Sequence, residues 1–158
     1  MSQPSFNRMK EQLLIRRATA RDRGTIYKML CELENAELPD KEFKKIYLDN
    51  LENWSIAYLV VEYEGELVGF ASCHIQLLLH HAAAVGEIQE MFVLPAYRSM
   101  GVGKRLVQEL TTFAASRGAS QLEVTTNKIR LDTHRFYERE GFENTHFKLV
   151  LNVHQVSS

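Results

Sequence analysis

The stretch Val93-Leu-Pro-Ala-Tyr97-Arg98-Ser99-Met100-Gly101-Val102-Gly103-Lys104-Arg105-Leu106-Val107 decides the fold. An apolar run stops at Pro95, two glycines follow at alternate positions, and a helical pattern begins at once. A P-loop requires GxxxxGK[ST], because its hydroxyl ligates magnesium. Here Lys104 is followed by Arg105, and no glycine stands five positions before Gly103. A dinucleotide fingerprint requires GxGxxG after a first strand. Its third position is Leu106, and the turn lies mid-chain. What is left is Arg98-x-x-Gly101-x-Gly103, whose glycines clear the approach to the helix amides. Such an end carries unsatisfied donors and partial positive charge, which suits a pyrophosphate. Lys104 and Arg105 can add charge at the rim.

Working outward, 121–126 reads as a strand, and 132–141, DTHRFYEREG, as a short helix stopped by Gly141. HFKLVLNV, 146–153, reads as a closing strand. Toward the N-terminus, 84–94 is the strand that feeds the glycine turn. Before it, 55–63 and 66–80 form a hairpin around Glu64-Gly65. QLLIRRA, 12–18, is a first strand. Thr19 caps a helix from Ala20 to about Glu37, and Pro39-Asp40 opens a second. The order β-α-α-β-β-β-α-β-α-β predicts an α/β fold around a central sheet.

Composition fits one soluble domain. The chain has 158 residues, 45% hydrophobic and 25% charged, with a formal net charge of -1. That balance gives no reason to expect nucleic acid or a membrane as partner. Cys31 and Cys73 are too few and too distant for a disulfide framework or a CxxC site. The N-terminal stretch lacks the apolar core of a secretory signal, so the expected location is the cytoplasm. The expected organisation is a flexible extension over 1–10, a single domain over 11–153 and a tail over 154–158.

With these residues in view, the chain resembles the GNAT superfamily of N-acyltransferases. The glycine turn matches its [RQ]xxGx[GA] signature, and FYEREGF at 136–142 recurs at the expected separation. The resemblance implies a mixed, mostly antiparallel sheet flanked by helices, with acetyl-CoA as co-substrate. It implies pantetheine along Met91, Phe92 and Val93. The pyrophosphate would lie on the amides of Arg98, Ser99, Met100, Gly101, Val102, Gly103 and Lys104. Asn127 is either a pantetheine contact or a turn asparagine. Superfamily members often pair through their last strands, so a homodimer is expected.

Acetyl transfer to an amine requires a base near the nitrogen and an acid near the departing sulfur. Glu87, Gln89 and Glu90 are the base candidates. By alternation Glu87 and Gln89 share a face, and Glu90 joins them only if a bulge intervenes. Counted back from the Arg98 turn, Glu87 stands where several superfamily members carry their base, so the resemblance favours Glu87, with Glu90 in reserve. Tyr137 stands where the superfamily places its thiolate acid. A narrower resemblance, in HIQLLLHH, GEIQE and TTNKIRLDTHRFYEREGFENTHF, is to aminoalkylphosphonate N-acetyltransferases. It implies a small anionic amine as acceptor, with His80, His81, Gln89, Arg130 and His134 as contacts. A divalent ion on the His pair and Glu87 is an open alternative to which the spacing does not commit. Other amines remain as acceptors, a polyamine, aminoglycoside, amino acid or protein terminus among them. A non-catalytic acyl-CoA-binding regulator is the rival from another class.

Overall fold

A computed structural model describes Arg8 and residues 12–154. The expected extension over 1–10 and tail over 154–158 fall almost wholly outside the described residues. Two compact units form, one up to Val124 and one from Thr125.

The first unit is a five-stranded sheet with helices on both faces. In chain order it comprises β1 (Leu14–Arg17), α1 (Arg23–Glu34), α2 (Asp40–Leu51), β2 (Ile56–Tyr63) and β3 (Glu66–Leu78). β4 (Ala83–Val93), α3 (Val102–Ser116) and β5 (Ala119–Val124) complete it. The sheet order is β1-β2-β3-β4-β5. The first four strands pair antiparallel, and β5 joins β4 in parallel across the α3 connection. This is the mixed, mostly antiparallel sheet that the sequence predicts.

Alternation assigns the two faces. Phe70 and Phe92, paired across β3 and β4, pack with Ile26, Met29, Leu30 and Tyr47 of α1 and α2. The opposite face receives Val102, Leu106, Leu110, Phe113 and Ala114 of α3, all buried. Each of these side chains except Ala114 contributes about 1.5–3 kcal/mol on burial. Gly86 lets α3 pack close against the sheet. A Cβ there would stand 3.1 Å from the Ala114 Cβ and 3.3 Å from the Cys73 Sγ.

The N-terminal capping box lies one turn earlier than α1 itself. The Thr19 N–H donates to Asp22 at 2.7 Å, and a 3-10 turn over Ala20–Asp22 runs into the helix. The helix ends at Glu34 rather than near Glu37. Asn35 adopts a left-handed conformation, φ 50°, and its N–H closes back on the Cys31 and Glu32 carbonyls. Asparagine tolerates that region, so the helix stops there.

The second unit contains α4 (Leu131–Arg139) and the chain after it. Tyr137 is buried, edge-on to Phe136 and Phe142. The expected last strand over 146–153 is not formed within the described residues. Phe147, Leu149, Val150, Leu151 and Val153 are all strongly exposed. The β-rich composition is present, but a strand exists only where a ladder accepts its backbone.

Candidate active site

β4 organises the site in the first unit. Its register with β3 runs Glu87↔His74 and Ile88↔Cys73, then resumes at Met91↔Ala71. Gln89 and Glu90 therefore face the single residue Ser72, which is a β-bulge. The bulge resolves the alternation. Glu87, Glu90 and Phe92 lie on the α1/α2 face, while Ile88, Met91 and Val93 take the α3 face. Gln89 is the surplus residue and is exposed. The parallel ladder with β5 ends at Ile88↔Val124, just before the bulge, and β4 continues to Val93.

A cavity of about 300 Å³ opens on the α1/α2 face. Ile26, Leu30, Phe43, Tyr47, Tyr58 and Phe70 supply apolar wall, and Glu34 and Glu90 supply carboxylates. Its aromatic wall is continuous. Phe43 stacks on Tyr47, Tyr47 on Tyr58, and Tyr58 meets Phe70 edge-on at 5.6 Å. Tyr47 donates its hydroxyl to the Thr19 carbonyl at 2.6 Å, and Asn50 donates to the Tyr58 hydroxyl at 2.7 Å. Burial raises the pKa of both phenols, so they stay neutral. Glu90 is held in turn. The Ser72 hydroxyl donates to its carboxylate, and the Glu90 N–H donates to the Ser72 Oγ at 3.1 Å.

The glycine turn sits at the other end of β4. A 3-10 turn over Pro95–Tyr97 precedes it, and Ser99 (φ 65°) and Gly101 (φ 81°) are both left-handed. Gly101 is the N-cap of α3, where a side chain would be strained. The first helical bond runs from Arg105 N to Gly101 O at 3.1 Å. The amides of Val102, Gly103 and Lys104 thus precede the helical ladder, a cradle that fits a pyrophosphate. Arg98 folds back on the strand. Its Nε donates to the Val93 carbonyl at 2.9 Å, with the guanidinium 5.5 Å from the Phe92 ring centre. Lys104 is exposed at the rim. Arg105 is turned to structural use instead, donating to the Leu13 carbonyl at 3.1 Å.

The histidine pair occupies the far hairpin end. His80 and His81 form a 3-10 turn after β3, their rings 4.3 Å apart, with His81 Nε2 3.9 Å from Glu123. They do not line the cavity: seven residues of strand, on the order of 20 Å, separate Ala83 from Glu90. Within the described residues no cluster of three or more His, Cys, Asp or Glu could hold a metal ion.

In the second unit, Asn127 closes an Asx turn, its Oδ1 accepting the Ile129 N–H at 3.1 Å. The His134 Nε2 is 2.8 Å from the Asn127 carbonyl, and the Arg130 N–H donates to the same oxygen at 3.0 Å. Arg135 pairs with Asp132 at 3.0 Å. Burial pushes the Tyr137 hydroxyl up to about 12, so it is protonated at neutral pH.

Comparison with known proteins agrees with this geometry. The profile of the acetyltransferase (GNAT) family matches residues 24–142. The chain belongs to that family. It is an N-acetyltransferase, and acetyl-CoA is the acetyl donor of the family. An aminoalkylphosphonate N-acetyltransferase from Salmonella typhimurium strain LT2 is 40% identical over 136 residues, 86% of this chain and 88% of that one. A solved transcriptional regulator from Bacillus halodurans C-125 superimposes with a TM-score of 0.81 at 25% identity, covering 89% of this chain and 99% of its own. The aminoglycoside N-acetyltransferase AAC(6')-Iy, solved with CoA, shares the fold with a TM-score of 0.81 at 20% identity. That match covers 89% of this chain and 93% of the other. No described helix is long and apolar enough to cross a membrane.

Sequence reasoning missed Ser72 and the aromatic wall. A serine inside an apolar hairpin strand is a weak signal. The tyrosines at 47 and 58 carry a helical and a strand period that report burial, not a cavity.

Proposed function

We propose that the protein transfers the acetyl group of acetyl-CoA to the primary amine of a small aminoalkylphosphonate, by direct attack in a ternary complex. The observation that carries this reading is the similarity to the Salmonella enzyme, which extends over nearly the whole of both chains. Bound acetyl-CoA supplies a thioester carbonyl as electrophile. The amides of Val102, Gly103 and Lys104 hold its pyrophosphate, and Met91, Phe92 and Val93 align its pantetheine.

The acceptor arrives as an ammonium and must lose a proton to attack. Glu90 takes that proton in this reading, because it lines the cavity, and Glu87 lies on the same face as the next carboxylate. Tyr137, neutral far above pH 7, is the acid for the departing thiolate. Arg130 and His134 are the phosphonate contacts. Arg130→Ala raises KM for the phosphonate and spares acetyl-CoA binding; equal weakening of both rejects that role. The exposed apolar residues over 147–153 support a homodimer that covers them, checked by light scattering on the eluting peak.

Thiol release from acetyl-CoA tests the acceptor. The panel holds aminomethyl- and aminoethylphosphonate, their carboxylate analogues, spermidine and an aminoglycoside, with and without chelator. Turnover confined to phosphonates is the expected result. The two carboxylates of the cavity, with no basic residue among its lining, favour one second reading: a polycationic amine. Turnover with spermidine or the aminoglycoside alone selects it. Acetyl-CoA binding with no turnover on any amine selects a regulator.

A further inference from the structure

Within the described residues the buried polar side chains are Asp22 and Ser72, and Ser72 is fully enclosed. An enclosed hydroxyl requires partners. Both partners of Ser72 belong to one residue. It donates to the Glu90 carboxylate and accepts the Glu90 backbone N–H at 3.1 Å. It does so at the bulge, where it alone opposes Gln89 and Glu90. The hydroxyl therefore fixes two things together: the backbone phase that turns Glu90 onto the cavity face, and the rotamer of its carboxylate. A regular antiparallel pair needs no side-chain hydroxyl to satisfy its amides, so the serine serves the irregularity.

We propose that Ser72 is the positioning residue for Glu90, holding that carboxylate ready to accept the proton of the acceptor ammonium. This rests on the assignment of Glu90 as proton acceptor. The proton passes from the ammonium nitrogen to a Glu90 oxygen, and the freed lone pair is then available for attack. A hydroxyl that donates to a carboxylate favours its charged form. The other groups facing it are Glu34 from α1, Tyr47 from α2, Tyr58 from β2, and His74 and Glu87 from the same sheet face.

The test is a double-mutant cycle read as a pH profile. Glu90→Gln lowers kcat/KM for the amine about 100-fold or more. Ser72→Ala lowers it about tenfold, and moves the acid limb of the profile up. The dissociation constant for acetyl-CoA stays near wild type, and the thermal midpoint falls by only a few degrees. Ser72→Thr, which keeps the hydroxyl, restores the limb. In the Glu90→Gln background Ser72→Ala costs nothing further. An equal cost in both backgrounds, or a loss with the acid limb unmoved, makes Ser72 merely structural and overturns the proposal. Wild-type activity in Ser72→Ala, beside a disabled Glu90→Gln, overturns it while leaving Glu90 as acceptor. Wild-type activity in Glu90→Gln removes Glu90 as acceptor and the role of Ser72 with it. If Ser72→Ala does not fold, Ser72→Cys, similar in size and a weaker donor, carries the same expectations.

Discussion

Asp22→Asn tests how the α1 wall of the cavity is anchored. The Asp22 carboxylate is nearly enclosed. It accepts two hydrogen bonds from the Arg16 guanidinium, at 2.8 and 2.9 Å, and one from the Thr19 N–H at 2.7 Å. Arg16 also reaches Glu62 at 2.8 Å, so one cation ties β1, the turn before α1, and β2. Removing one partner of a buried pair costs about 3–5 kcal/mol. Two features reduce this. The Arg16 side chain is 30% exposed, and Glu62 remains as counter-charge. The expected loss is about 2 kcal/mol, or roughly 4–8 °C in Tm for a chain of this size.

The sign with pH follows from the pKa of Asp22, which hydrogen bonds from Arg16 hold below the usual carboxylate value. Its contribution is complete above about pH 3.9, the ordinary unfolded value, and is lost as pH falls through the lower native one. Urea unfolding of wild type, Asp22→Asn, Arg16→Met and the double variant at pH 7 measures the coupling. Repeating it at successively lower pH measures the linkage. A loss below about 0.5 kcal/mol at pH 7 refutes the ledger. So does a difference that persists undiminished after wild-type Asp22 is protonated.

Three further outcomes follow from the same geometry. Gly101→Ala forces a left-handed Cβ at about 1–2 kcal/mol, which appears as roughly tenfold weaker acetyl-CoA binding by calorimetry with the amine KM unchanged. Cys73 is fully buried and its thiol is pushed up to about 11 by burial, while Cys31 is half-buried; Ellman's reagent at pH 8 titrates Cys31 first and Cys73 only in denaturant, and equal rates refute the burial argument. Tyr137→Phe lowers kcat about 100-fold with acetyl-CoA affinity intact. Because burial raises the native pKa of Tyr137 to about 12, its stabilising part is full below pH 10 and is lost as pH rises through 12, so the variant's alkaline unfolding is less steep.

Much of the fold was legible because it rests on local rules. Thr19, Pro39 and Glu64-Gly65 announce helix starts and a hairpin by the backbone angles they favour, and the structure uses all three. The glycine turn was legible for the same reason, since Gly101 takes the positive φ that a side chain resists. Three readings depended on partners that a sequence does not display. The facing of Glu90 hinged on a bulge, set by how β4 meets β3 rather than by any residue within β4. HFKLVLNV over 146–153 reads as a closing strand from its own composition, which describes what a strand would look like but cannot provide a neighbour. His80 and His81 enter the acceptor contacts through the resemblance around HIQLLLHH, and they sit in the turn after β3 rather than among the residues that line the cavity. Asn35 shows a smaller case: helical periodicity ran on past it, and the left-handed cap ended the helix.

Gln89 is the one residue by which β4 exceeds a regular alternation. Without it, Glu87, Ile88, Glu90, Met91 and Phe92 would simply alternate from face to face, each keeping the side it has now. The excess thus leaves the chemistry of each face untouched and acts on the strand's course. A single surplus residue works as a wedge. The bend it puts into β4 is set by chain length itself, so removing Gln89 alters the strand's course while replacing it alters only the exposed surface.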